Sequence, residues 1–139
     1  MIKEFQGKYR WLSNFTSVEV ELEGIIYPSV EHAYMSAKSD IKEWKEFCSN
    51  VNNTPGQVKK ASRNIALTYD WDSKKLAVMK ELLIQKYNKE PFKSLLKETG
   101  NLYIQEGNNW NDKFWGVCLK TNKGENNLGK LIMEIRNTL

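Results

Sequence analysis

Residues 18–38 read VEVELEGIIYPSVEHAYMSAK. The first six positions alternate strictly between apolar and acidic side chains, the period of a strand buried on one face, and Gly24 ends it. Tyr27-Pro28-Ser29 then opens a helix, with Ser29 as its natural cap, and residues 30–39 read as that helix. At about 100° per residue, Val30, Ala33, Tyr34 and Ala37 form one buried stripe. Glu31, Met35 and Lys38 form a second stripe beside it, roughly 60° wide. A carboxylate and an ammonium thus share one line on a helix whose other sides are largely small or apolar. Two readings follow: an ion pair spanning an edge of the core, or a general acid/base carboxylate with a reactive or phosphate-steering lysine facing a cleft. His32 lies about 100° away from Glu31 and reads as structural.

Outward from this stretch the pattern is mainly helical. Asp40 caps a helix with Ile41, Trp44, Phe47, Cys48 and Val51 on its apolar side. Thr54-Pro55 caps and opens another, running to about Ile65. The strongest helical period covers residues 73–87, with Leu76, Met79, Leu82 and Leu83. A further helix over 91–99 stops at Gly100. Short extended pieces are expected at 102–105 and 114–119, and Asn126 or Asn127 caps a last helix carrying Leu128, Leu131, Ile132 and Ile135. The expected fold is α+β: a mostly helical, compact single domain over residues 1–139 with a small β-sheet.

Composition narrows the chemistry. With 40% hydrophobic residues and sixteen aromatics in 139 residues, the chain can bury a real core and does not read as disordered. No apolar run approaches the roughly 18 residues of a membrane helix. No apolar segment follows Met1-Ile2-Lys3-Glu4, so a cytoplasmic protein without a signal peptide is expected. One histidine and two well-separated cysteines, Cys48 and Cys118, make neither a zinc cluster nor a disulfide framework, so no metal is expected. The net charge of +4 comes from 21 cations against 17 acids. Only Arg10, Arg63 and Arg136 are arginines, and the lysines alternate with acids, which suits solubility better than a duplex-binding stripe.

Three more constellations stand out. Residues 106–116 crowd Trp110, Trp115, two glycines and three side-chain amides with Glu106 and Asp112, which suits either a packed loop or a wall for a planar ligand. Arg10-Trp11-Leu12-Ser13-Asn14-Phe15 sets polar and aromatic residues before the strand, and as a plain turn its Ser13 and Asn14 would bond local backbone. Lys59, Lys60 and Arg63 place three cations near one side of the Thr54-Pro55 helix, where a solvated face is the simpler account.

In order and spacing these blocks resemble the NADAR, or YbiA-like, family from Phe5 to Arg136. The carrying residues are Tyr9-Arg10-Trp11-Leu12-Ser13-Asn14-Phe15, Tyr27-Pro28-Ser29-Val30-Glu31-His32-Ala33-Tyr34 with Lys38, Lys59 with Arg63, and Trp71 with Met79 and Lys86. Later blocks are Thr99-Gly100, Glu106-Gly107-Asn108, Trp110, Asp112, Phe114-Trp115-Gly116, Leu128-Gly129-Lys130 and Arg136. Three positions depart from the family pattern: Met35 stands where a Gln is usual, and Ser62 and Asn111 stand where glycines are usual.

The resemblance implies an N-glycosidase acting on a nucleotide-derived substrate, with no cofactor and no membrane partner. ADP-ribosylated guanine and the ribosylamine phosphates of riboflavin synthesis are the implied substrate types, and a modified base within DNA or RNA stays open. Glu31 is expected as the principal acid/base, Lys38 as its helper at the anomeric carbon, and Asp112 as a second carboxylate. Arg10, Lys59 and Arg63 would meet phosphates, Trp110 and Trp115 the base, and Asn14 and Asn108 polar edges. Trp11, Ser13, Tyr34 and Glu106 complete the expected substrate-binding set. The rival reading is a non-catalytic module that binds ADP-ribose-like nucleotides.

Overall fold

A computed structural model describes residues 1–139. It is a mostly helical α+β structure with two very small sheets, as expected. The chain divides into two compact units, one formed by Asn14–Lys86 and the other by Met1–Ser13 with Tyr87–Leu139.

In the first unit, β1 (Ser17–Leu22) pairs antiparallel with β2 (Ile25–Ser29). The turn between them is Glu23-Gly24, both at positive φ (52° and 81°), the primed geometry whose twist matches a two-residue hairpin. The alternation of β1 puts Val20 and Leu22 inside, with Tyr27 buried from the partner strand. Strand β2 was not expected: Tyr27-Pro28-Ser29 is extended and hydrogen-bonded before it becomes a helix start. Ser29 then caps α1 (Val30–Ser36), its Oγ accepting from His32 N at 3.1 Å.

Every residue of α1 is buried, and the helix packs against β1, β2, α2 (Lys42–Ser49) and α3 (Pro55–Ala61). Helix α1 is shorter than the expected 30–39. Its last carbonyls are taken by side chains of α2: Trp44 Nε1 donates to Met35 O at 2.9 Å and Lys45 Nζ to Ser36 O at 3.2 Å. These contacts satisfy the orphan acceptors that a longer helix would have used. His32 is a strut, as its spacing suggested. Its Nε2 donates to Asn53 O at 2.7 Å, which leaves Nδ1 to accept from Ser29 Oγ at 2.6 Å.

The apolar side assigned to α2 is only half right. Trp44 and Cys48 are buried, with Phe47 stacked on Trp44, whereas Ile41 and Val51 are exposed. The expected cap Asp40 is also displaced, because Ile41 occupies the cap position without a side-chain bond. Thr54 and Gln57 make a reciprocal capping box at the start of α3, which gives way to a 3-10 turn at Ser62–Asn64. Helix α4 (Trp71–Tyr87) starts two residues earlier than its period suggested; Met79, Leu82 and Leu83 are buried, while Leu76 faces outward.

The second unit contains a 3-10 helix (Gly7–Leu12), α5 (Phe92–Glu98), α6 (Asn127–Arg136) and a two-residue parallel pair, β3 (Gly107–Asn108) with β4 (Val117–Cys118). The extended pieces expected at 102–105 and 114–119 shrink to an Ile2–Ile104 bridge and β4. Asn126 sits at the cap position of α6 but does not cap it. Its amide instead ties Ile104 O (2.9 Å) to Glu106 N (2.9 Å).

Lys86 is fully buried, and burial pulls its pKa down to about 7. The unfolded chain holds that proton to about pH 10.4. Between those values the unfolded state binds one more proton than the native state, so stability rises with pH by about 1.4 kcal/mol per unit from this group. In thermal melts from pH 7 to 10, Lys86→Met should flatten that rise. An unchanged slope would mean that Lys86 stays charged in the fold.

Candidate active site

The unit Asn14–Lys86 gathers five of the expected site residues around the start and end of α1. Glu31 sits in the first turn and is buried. Its N–H donates to Asn14 O at 3.1 Å, which draws the Asn14-Phe15 segment against the carboxylate-bearing turn. Asn14 is buried, with Nδ2 on Met79 Sδ at 3.6 Å and Oδ1 without a hydrogen-bond partner. A buried carbonyl in that state favours a polar edge brought by a ligand. Tyr34 packs on Trp71 with ring centroids 5.2 Å apart.

Lys38 lies just beyond the helix, where a tight last turn (Lys38 N to Met35 O, 3.2 Å) brings it back under α1. Its Nζ reaches Ser62 Oγ at 3.5 Å, and Ser62 Oγ donates to Lys59 O at 2.7 Å. The serine that replaces the family's glycine therefore puts a hydroxyl against this ammonium. Lys59 is half-buried with Nζ over the Phe15 ring, 5.9 Å from its centroid. Met35, the other departure, is buried.

The electrostatics of this cluster centre on Lys38. Burial pushes its pKa below the ordinary lysine value; Glu31 opposes that shift, and Lys59 and Lys75 add to it. The result is an amine with an enlarged neutral fraction within electrostatic reach of a buried carboxylate, the combination a nucleophilic or proton-shuttling lysine needs. Arg63 belongs to the same unit but is exposed on the 3-10 turn, as is the neighbouring Lys60 on α3.

The remaining expected residues lie in the other unit. Arg10 is exposed on the 3-10 helix, and Ser13 closes that helix by donating its N–H to Arg10 O at 3.0 Å. Trp11 is half-buried, edge-on to Tyr87 at 6.5 Å. With Lys8, Tyr9, Glu98, Thr99 and Leu102 it lines an open groove of about 240 Å³.

The loop 106–116 is held by its own amides and carboxylates. Buried Asn108 donates from Nδ2 to Glu106 Oε2 (3.0 Å) and to Asp112 O (2.9 Å), while its Oδ1 accepts from Asp112 N (3.0 Å). Asp112 Oδ1 accepts from Phe114 N (3.1 Å) and Trp115 N (2.9 Å). Trp115 meets Phe114 edge-on at 4.9 Å, and Trp110 is 57% exposed. Gly116 is required here, since a Cβ would collide with Glu106. Asn111 has φ +65°. It thus fills a left-handed position with a residue that tolerates it well after glycine.

Phe15, Trp71, Lys75 and Met79 stand beside these groups but were not expected in the site. Trp71 fell outside the helical window, Met79 read as core, and Lys75 was indistinguishable from a solvated Lys74-Lys75 pair.

Asp112 holds the loop through one oxygen, a role that an amide can keep. Asp112→Ala should speed hydrogen exchange of the Phe114 and Trp115 amides by roughly 10-fold, given about 0.5–1.5 kcal/mol per bond. Asp112→Asn should leave it near the original rate. Equal protection in all three proteins would remove the clamp role.

The chain is 30% identical over 134 residues to the N-glycosidase YbiA of Shigella boydii, covering 94% of this chain and 82% of that protein. It is 28% identical over 133 residues to an N-glycosidase of Nostoc punctiforme, covering 92% and 84%. The solution structure of the Escherichia coli protein YbiA superposes with a TM-score of 0.84 at 27% identity, covering 99% of this chain and 82% of that one. The family model for the NADAR domain matches residues 2–139, and the chain therefore belongs to the NADAR domain family.

Proposed function

We propose that the protein is an N-glycosidase that cleaves the bond between a sugar's anomeric carbon and a nitrogen in a nucleotide-derived substrate. The substrate class is an ADP-ribosylated guanine or a ribosylamine phosphate. The observation that carries the reading is the Lys38 amine, held half-buried against Ser62 and coupled to buried Glu31. The names of the relatives support the reaction type.

In this mechanism Glu31, as the acid, protonates the ring oxygen, and the ring opens to an iminium at C1. The Lys38 lone pair adds to C1. Glu31 then relays the proton from Lys38 to the departing nitrogen, the C–N bond to the base breaks, and a lysine Schiff base remains. Water adds to that carbon, and collapse returns the free amine and releases the sugar. Depression of the Lys38 pKa raises the fraction of amine able to attack, and the neighbouring carboxylate carries protons in both directions. Asn14, whose carbonyl holds the Glu31 N–H, and Tyr34, one turn further along α1, would orient the sugar.

The test is incubation with ribosylamine phosphates, ADP-ribose conjugates and ADP-ribosylated guanine, followed by mass spectrometry of released base and sugar. Hydrolysis of at least one is expected. Glu31→Gln should cut kcat by about 10²–10⁴-fold while leaving the protein folded. Borohydride added during turnover should leave a sugar adduct on Lys38. An active enzyme that never yields the adduct would contradict the Schiff-base route, and no hydrolysis of any substrate would overturn the glycosidase reading.

A further inference from the structure

Ser62 closes α3: its N–H is shared between Lys60 O and Val58 O, and the residue begins the 3-10 turn Ser62–Asn64. It is only 5% exposed, so its hydroxyl has to find partners inside the protein. Ser62 Oγ donates to Lys59 O at 2.7 Å, the backward bond that serine makes readily on a helix. Lys38 Nζ comes to the same oxygen at 3.5 Å.

A serine hydroxyl carries one proton and two lone pairs. The short bond to Lys59 O takes the proton, so toward Lys38 the oxygen can only accept. That direction matters for an amine that has to attack. A hydroxyl free to donate would bind the nitrogen lone pair and quench it. A hydroxyl that can only accept must face an N–H, which turns the lone pair of the neutral amine away from Ser62. At 3.5 Å the contact is longer than the roughly 2.7–3.2 Å of a fully formed N–H···O bond. The oxygen therefore steers the amine without locking it.

The main chain of Lys38 is held on both sides. Its N–H donates to Met35 O at 3.2 Å, and its carbonyl accepts from Thr68 N at 2.9 Å. What stays adjustable is the flexible four-carbon stem, and Ser62 meets its tip. The charged groups acting on the amine are Glu31 of α1, which favours the ammonium, and Lys59 of α3 and Lys75 of α4, which disfavour it. Lys45 of α2 is engaged with Ser36 O and Glu23. Charges set how often the amine is neutral; they do not set where its lone pair points, and the Ser62 oxygen does.

We propose that Ser62 is a positioning residue for the attacking lysine: its hydroxyl, committed as a donor to Lys59 O, leaves the Lys38 lone pair free for the sugar carbon. This deepens the glycosidase reading and rests on it for the carbon that is attacked. The glycine usual at this position in the family has no such oxygen, so the device belongs to this chain.

The test reads the amine first and turnover second. In an NMR titration of the Lys38 amine without substrate, Ser62→Ala should move the midpoint down by about half to one pH unit, because the ammonium loses an acceptor. Ser62→Thr, which keeps the hydroxyl, should stay near the original midpoint. On a hydrolysed substrate, kcat divided by the neutral fraction of Lys38 should fall by about 3- to 10-fold in Ser62→Ala. KM should change little, and Ser62→Thr should restore kcat. A serine that only closes α3 would alter the melting temperature of Ser62→Ala and move neither reading. An unmoved midpoint or an undiminished corrected kcat in folded Ser62→Ala overturns the assignment, even with hydrolysis intact. A midpoint that moves in a protein hydrolysing none of the substrates upholds the hold on the amine and sinks the glycosidase reading instead.

Discussion

The seven-residue helix α1 is buried along its whole length, and the site depends on that constraint. A helix this short does not hold itself together in water. It exists because β2 delivers Ser29 as its cap and α2 supplies donors to its last carbonyls. The hairpin turn at Glu23-Gly24 fixes where β2 ends and therefore where the helix begins. A carboxylate carried inside by such a helix costs several kcal/mol unless charge or hydrogen bonds compensate it. Lys38 supplies opposite charge from the turn that ends the same helix. Fold and chemistry share this element: whatever positions α1 also positions the two charges.

The unit formed by the chain's two ends is organised on a different principle. Its loop 106–116 holds shape through side-chain amides and carboxylates bonded to backbone, with strands of only two residues. Asn108, Asp112 and Asn126 each replace contacts that a longer sheet would have made. This economy explains why the segment looked unlike a core strand in sequence. Polar residues that would be costly if buried without partners are buried here with nearly every bond made.

Much of this was legible before the structure because local rules govern it. The alternation of Val18 to Glu23, the Ser29 cap, the Thr54-Pro55 start and the amphipathic run through Leu83 each depend on neighbours within a few residues. The rest depends on contacts distant in sequence. Strand β2 was missed because Tyr27-Pro28-Ser29 carries a helix-start signal that pairing with β1 overrides. Ile41 and Val51 match a helical period, yet they flank α2 rather than belong to it. Lys38 shared a line with Glu31 on an ideal helix; in the fold it comes near by a turn beyond the helix end.

The coupling of Lys38 to Glu31 is the central claim, and it is measurable without any substrate. An NMR titration of lysine side-chain amines, with Lys38 assigned from the signal lost in Lys38→Arg, reads the charge state directly. The account predicts that Lys38 titrates below the ordinary value of 10.5. In Glu31→Gln it should titrate lower still, because the carboxylate that favours the charged form is gone. An ordinary titration that is the same in both proteins would contradict the account.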